Sequence, residues 1–203
     1  MNVVNIRKST ARPYHHGALA EAMVEQALVD VRARGAEHLS LRGVAQAVGV
    51  SPSAAYNHFA DKDALLRAVG ACGTAALDER MARVLAAHPG NDPQSAIDRL
   101  QGLGRAYMAF ATEEPHLFRL MFGPTCAELH QQAETAGPYV KLITTLDELD
   151  DLGQLKPGVR PGLDLTIWAA THGMASLIVD GALPPEAGSE LIDSIERLIL
   201  NDE

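Results

Sequence analysis

The sequence predicts an all-α protein of about nine helices, a three-helix head followed by a larger helical bundle. Three observations carry this. Apolar residues recur at three- and four-residue spacing along most of the 203 residues. Aromatics make up 4% of the chain while Ala and Leu dominate, a composition poor in strand formers. Pro, Gly, Ser and Asp fall where helices start and stop. With 47% hydrophobic and 21% charged residues, the chain has the make-up of a globular protein with a core, which excludes a disordered tail or a rod.

Taken in order, Leu19, Met23, Ala27 and Val31 form one stripe on a first helix that stops before Gly35. Leu41, Val44, Ala45 and Val48 line a short second helix, with Ser40 as N-cap and Gly49 just past its end. Ser51 caps a third helix with Pro52 at its first position; Ala55 and Phe59 share one face, and Ser53, Tyr56 and Asn57 the other. Asp61 caps a long fourth helix to about Ala87, which His88-Pro89-Gly90-Asn91 ends. Asp92-Pro93 restarts a helix to Glu113, and Glu114-Pro115 opens a short one ending at Gly123-Pro124. Residues 126–152 read as helical with a break at Gly137-Pro138, and 162–181 as a helix apolar nearly all round. A last helix spans about 185–200.

Charge divides the chain. Residues 1–62 hold seven Lys/Arg and five Asp/Glu, a net +2, whereas residues 63–203 hold ten and twenty-one, a net −11. The asymmetry suggests that the first part meets a polyanion and the rest does not. No run of about 18–20 apolar residues is present, so no membrane span is expected. The first residues, MNVVNIRKSTARPYHHG, lack the apolar core of a secretory signal, and Cys72 and Cys126 stand far apart. A cytoplasmic protein with reduced thiols is expected.

Residues 41–66 read LRGVAQAVGVSPSAAYNHFADKDALL: a helix, a tight turn at Gly49-Val50, and a second helix with a polar outer face. These are the parts of a helix-turn-helix, whose second helix enters the DNA major groove. The block LRxVA, then GVS, then Y-x-HF-x-x-K-x-x-LL resembles the TetR family of bacterial transcriptional repressors. The resemblance implies a DNA-binding head over residues 1–62 and an effector-binding and dimerisation domain over 63–203. It assigns DNA contacts to Arg42, Ser51, Pro52, Ser53, Tyr56, Asn57, His58 and Lys62. Tyr56, His58 and Lys62 would meet phosphate, and Asn57 could pair with adenine through two hydrogen bonds. Ser51 is equally readable as a helix cap, and Arg7, Lys8 and Arg12 as a flexible arm or a minor-groove contact. His15-His16 reads as a polar helix start, and no metal or cofactor is implied.

Trp168-Ala-Ala-Thr-His172-Gly173 is similar to a W-x-x-x-HG signature in a subgroup of TetR-like regulators, with counterparts for Pro115–Phe118 and Met121–Gly123. Trp168 and His172 are four residues apart, and read either as a packing pair or as ligand contacts. The aromatic and sulfur-bearing residues Tyr107, Phe110, Phe118, Met121, Phe122, Trp168, His172 and Met174 are the candidate lining of an effector cavity. It would lie between the helices at 93–113, 115–122, 126–152 and 162–181. Few charged residues fall on their inward faces, so an uncharged or weakly polar effector is expected. The stripes over 163–181 and 188–199 predict a homodimer, with a double-stranded, pseudo-palindromic DNA operator as partner. No G-x-S-x-G, HExxH, P-loop or GxGxxG pattern supports an enzyme. A ligand-binding protein without operator binding, or an enzyme built on a bundle, are the competing readings.

Overall fold

The computed structural model describes residues 16–127 and 137–201. Among them are nine α-helices and two short 3-10 turns, with no strand beyond a single bridge between Leu155 and Leu200. Helices α1 (His16–Arg34), α2 (Leu41–Val48) and α3 (Pro52–Tyr56) form the head. Helix α4 (Lys62–Ala87) leads into α5 (Pro93–Glu113), α6 (Pro115–Met121), α7 (Pro138–Asp151), α8 (Leu163–Val179) and α9 (Ala187–Ile199). The 3-10 turns are Ala36–His38, after α1, and Pro124–Cys126, after α6. Arg7, Lys8, Arg12 and His15 lie outside the described residues, as does 128–136 of the segment read as helical. Gly137, at φ 103°, precedes Pro138, which opens α7.

The starts of the helices follow from their caps. Ser40 accepts a hydrogen bond from Gly43 N at 3.1 Å, Ser51 from Ala54 N at 3.2 Å, and Asp61 from Ala64 N at 2.7 Å. Asp92 does the same for α5, accepting from Ser95 N at 3.1 Å. Each side chain satisfies one of the amides that a helix start leaves unpaired. The third helix is shorter than its sequence pattern suggests. It ends at Tyr56, and Phe59 reaches the core from the turn that follows, its amide bonded to Ala55 O at 3.0 Å.

Two apolar clusters hold the molecule together. The larger begins with the α1 stripe Leu19, Met23, Ala27 and Val31, takes in Val44, Ala45, Ala55 and Phe59, and continues through Leu65, Leu66 and Val69 of α4. From there it runs without interruption into Leu117 and Met121 of α6, Tyr107 and Phe110 of α5, Ala175 of α8 and Ile192 of α9. Head and bundle therefore share one core, with α4 belonging to both. A smaller cluster at the far end joins Leu100, Leu146, Leu149, Leu163, Ile167 and Ile199.

Arg99 is the buried charge of the bundle, 7% exposed. Its guanidinium donates to the carbonyls of His88 and Gly90, which close the α4–α5 loop, and pairs with Glu148 of α7. A buried cation is tolerated only when its donors are used in this way. Removing it orphans two carbonyls and a half-buried carboxylate together. Arg99→Met should lower the unfolding free energy by about 3 kcal/mol in urea titration.

Candidate nucleic-acid interface and ligand cavity

The turn between α2 and α3 depends on Gly49, which adopts φ 81° and ψ 28°, a left-handed conformation costly for a side-chain-bearing residue. Its amide returns to Ala45 O, Val50 N bonds Ala45 O at 2.9 Å, and α3 starts two residues later. The face of α3 turned to the core carries Ala55, fully buried; the opposite face carries Ser53 and Tyr56, both exposed. Tyr56 is 48% exposed, so it is not a core aromatic.

Of the eight residues predicted to meet DNA, Arg42, Ser51, Pro52, Ser53, Tyr56 and Asn57 are exposed, and His58 and Lys62 are half-buried. Ser51 spends its oxygen on the cap, which leaves its hydroxyl hydrogen for a second partner. Lys62 opens α4, and its ammonium donates to Glu37 O at 3.1 Å, on the 3-10 turn below α1. That link between Lys62 and the Ala36–His38 turn has no signal in the sequence.

In the bundle, a cavity of about 60 Å³ lies among α4, α5, α7, α8 and α9. Tyr107 and Trp168 line it, together with residues chosen by no aromatic or sulfur rule: Leu100, Gly104, Leu142, Ile167, Thr171 and Ile192. The other six predicted residues do not. Phe110, Phe118 and Met121 are fully buried in the larger core, and Phe110 carries the Arg80 guanidinium 5.4 Å over its ring. Phe122 and Met174 pack against that core, and His172 adjoins the cavity through Tyr107 and Trp168. Helix α9 closes the cavity where the sequence suggested α6, because α6 is turned toward α1 and α4 instead.

Five of the predicted rings, Tyr107, Phe118, Phe122, Trp168 and His172, form one continuous group. Trp168 stacks on His172 with centroids 6.0 Å apart, and His172 lies 4.6 Å from Phe122 and 5.4 Å from Phe118 of α6. The Tyr107 hydroxyl is hydrogen-bonded to His172 Nδ1 at 2.9 Å. Burial pushes that phenol well above its usual range, against a hydrogen bond from Trp168. At the cavity wall, Tyr139 lies 5.7 Å from Trp168 and donates to Asp164 Oδ2 at 2.6 Å. This bond to the carboxylate pushes Tyr139 up to about 12 and, with Arg160 at 3.0 Å, holds Asp164 below the usual carboxylate range. Among the described residues, the charged member of the lining is Glu196 of α9, whose Oε2 accepts from Gln101 Nε2 at 2.6 Å.

The chain matches two family models, bacterial regulatory proteins of the tetR family over residues 26–69 and the tetracyclin repressor-like C-terminal domain over residues 100–201. It belongs to the TetR family and is a DNA-binding transcriptional regulator. A protein of unknown function from Rhodococcus sp. RHA1 is 29% identical, with a TM-score of 0.75 over 92% of this chain and 98% of its own. A putative transcriptional regulator from Saccharomonospora viridis in complex with choline shares the fold at 16% identity and a TM-score of 0.74, over 92% and 100%. The ketosteroid transcriptional regulator KstR2 of Mycobacterium tuberculosis does so at 17% identity and 0.59, over 97% and 100%. No match is found among curated proteins.

The position of Phe110 makes a direct test of core against cavity. Phe110→Ala should cost about 3–5 kcal/mol of stability in thermal or urea unfolding. At permissive temperature its DNA affinity and ligand response should equal those of the wild type.

Proposed function

We propose that this protein is a homodimeric repressor that binds a pseudo-palindromic operator and releases it when a small molecule occupies the cavity between α5, α7, α8 and α9. The observation that carries the reading is the polar outer face of α3, joined through one unbroken core to a helical bundle with an apolar cavity. Arg42, Ser51, Pro52, Ser53, Tyr56, Asn57, His58 and Lys62 are the operator contacts. Tyr56, His58 and Lys62 hold phosphates and Asn57 reads a base. Lys62 exchanges its bond to Glu37 O for a phosphate oxygen. The net −11 of residues 63–203 confines DNA to the head by repulsion elsewhere. The protein acts by binding rather than turnover, in the cytoplasm.

Two exposed apolar stretches support the dimer. Leu165 and Leu177 of α8 and Leu198 of α9 face solvent, Leu198 at 70% exposure, while Ile195 turns inward against the smaller core cluster. Pairing α8 and α9 across a two-fold axis buries these leucines and sets two heads for half-sites ~34–36 Å apart. The effector is a small molecule with a largely apolar body. A cavity of about 60 Å³ is well below the ~300 Å³ of a typical ligand site, so the ligand enters by moving the walls. Tyr107, Trp168 and His172 are the predicted ligand residues nearest to it, and their displacement is passed to α6 through Phe118 and Phe122.

Fluorescence anisotropy on the DNA upstream of the protein's own gene tests operator binding. Lys62→Ala should weaken it on all sequences and lower the salt slope by about one; an unchanged slope removes Lys62 from the interface. Asn57→Ala should relax preference at one base pair by about 1–3 kcal/mol. Leu198→Glu should give monomers by light scattering and lose the full site together; monomers that keep full-site affinity contradict the dimer.

A further inference from the structure

The chemistry of the cavity specifies more than its size. Most of its wall is apolar, from Leu100, Leu142, Ile167 and Ile192, and two tyrosines and the chain's single tryptophan supply aromatic faces. Three polar side chains interrupt it, Gln101, Thr171 and Glu196. The Thr171 side chain lines the cavity and is 7% exposed. Glu196 is half-buried at the wall, and among the described residues its carboxylate accepts from the neutral amide of Gln101. Gln101 in turn accepts from Arg105 at 2.9 Å, so the arginine reaches the amide and not the carboxylate. No Lys, Arg or His lines the cavity among the described residues.

A ligand entering this space therefore meets a carboxylate whose side-chain partner is a neutral amide, with the nearest arginine, Arg105, held one hydrogen bond further off on Gln101. An anionic ligand would set two like charges together in a partly desolvated site, and an alcohol or hydrocarbon would leave the carboxylate without its best partner. A protonated amine gives Glu196 a charge-assisted hydrogen bond, and the faces of Trp168, Tyr107 and Tyr139 favour a cation over a neutral group. We propose that the effector is an amphipathic organic amine, its alkyl or aryl body between α5, α7 and α8 and its ammonium at Glu196. This rests on the reading of the cavity as the effector site, and it replaces the uncharged effector expected from the sequence.

Trp168 is the sole tryptophan and lines the cavity, so its fluorescence reports occupancy directly. The full-length protein is titrated at pH 7 with n-octylammonium, octan-1-ol and octanoate, three ligands of one chain length and different charge. The amine should bind about tenfold or more tighter than the alcohol, and octanoate weakest. Glu196→Gln keeps the shape and the bond to Gln101; it should cost the amine about tenfold and leave the alcohol within about twofold. Alcohol binding equal to amine binding, or an unchanged amine affinity in Glu196→Gln, overturns the amine while leaving the cavity as the effector site. If none of the three alters Trp168 emission, the effector-site reading falls and the amine with it.

Discussion

The seating of α6 on α4 at Gly73 constrains how the two halves of this molecule can move. A β-carbon at Gly73 would lie 2.5 Å from Met121 Sδ and 3.0 Å from Leu117 Cγ, so glycine here lets the α6 side chains seat directly on α4. On one side of that contact, Leu65, Leu66 and Val69 complete the core of the head; on the other, Leu77 and Met81 belong to the bundle. Helix α4, about 39 Å long at 1.5 Å per residue, thus carries both halves with no apolar gap between them. The head is packed on the bundle through α4 and α6 rather than hung from a linker. The proposed release therefore runs through the position of α6 relative to α4.

That geometry gives the proposed release mechanism a physical route. Helix α6 is wedged between α1, α4 and the Ala36–His38 turn. Arg32 of α1 is paired with Glu114 at the head of α6, at 2.9 Å, and Arg119 of α6 reaches Asp180 beyond α8 at 3.0 Å. On the bundle side, Phe118 of α6 and Phe122 just past its end lie against His172, which is bonded to Tyr107 at the cavity wall. In the proposed mechanism, a ligand that widens the cavity displaces this aromatic group, and α6 with it. The same turn that α6 supports also holds Lys62 through Glu37 O. Effector and operator are then linked because each prefers a different position of one element, which is what a population shift requires.

The head was legible in the sequence because its chemistry is local. Ser40, Gly49, Ser51 and Asp61 act within three or four residues, so their types and spacing announce the caps and the turn they form. The exposure of Ser53, Tyr56 and Asn57 followed from the buried phase of Ala55 and Phe59. The cavity was not legible, because its lining depends on the rotation of five helices about their axes. Phe110, Phe118 and Met121 have the residue types of a ligand site, yet their helix faces point into the core shared with α4. Glu196 offered one usable signal. It stands between Ile192, Ile195 and Ile199 on the inward side of α9, a charge on an apolar stripe. Leu198, by contrast, falls on the opposite face and is left to solvent.

The central claim is that the position of α6 on α4 sets operator affinity, and Gly73→Ala tests it far from any DNA contact. The added methyl presses on the Met121 and Leu117 side chains at the α4–α6 contact without touching α3. Operator binding is measured by anisotropy in Gly73→Ala and in Gly73→Ala/Met121→Ala, where the shortened side chain returns the space. The account predicts at least a roughly tenfold loss, about 1.4 kcal/mol, in the single variant, recovered in the double variant as the coupling of two residues in contact requires. Wild-type operator affinity in a folded, dimeric Gly73→Ala protein would contradict it.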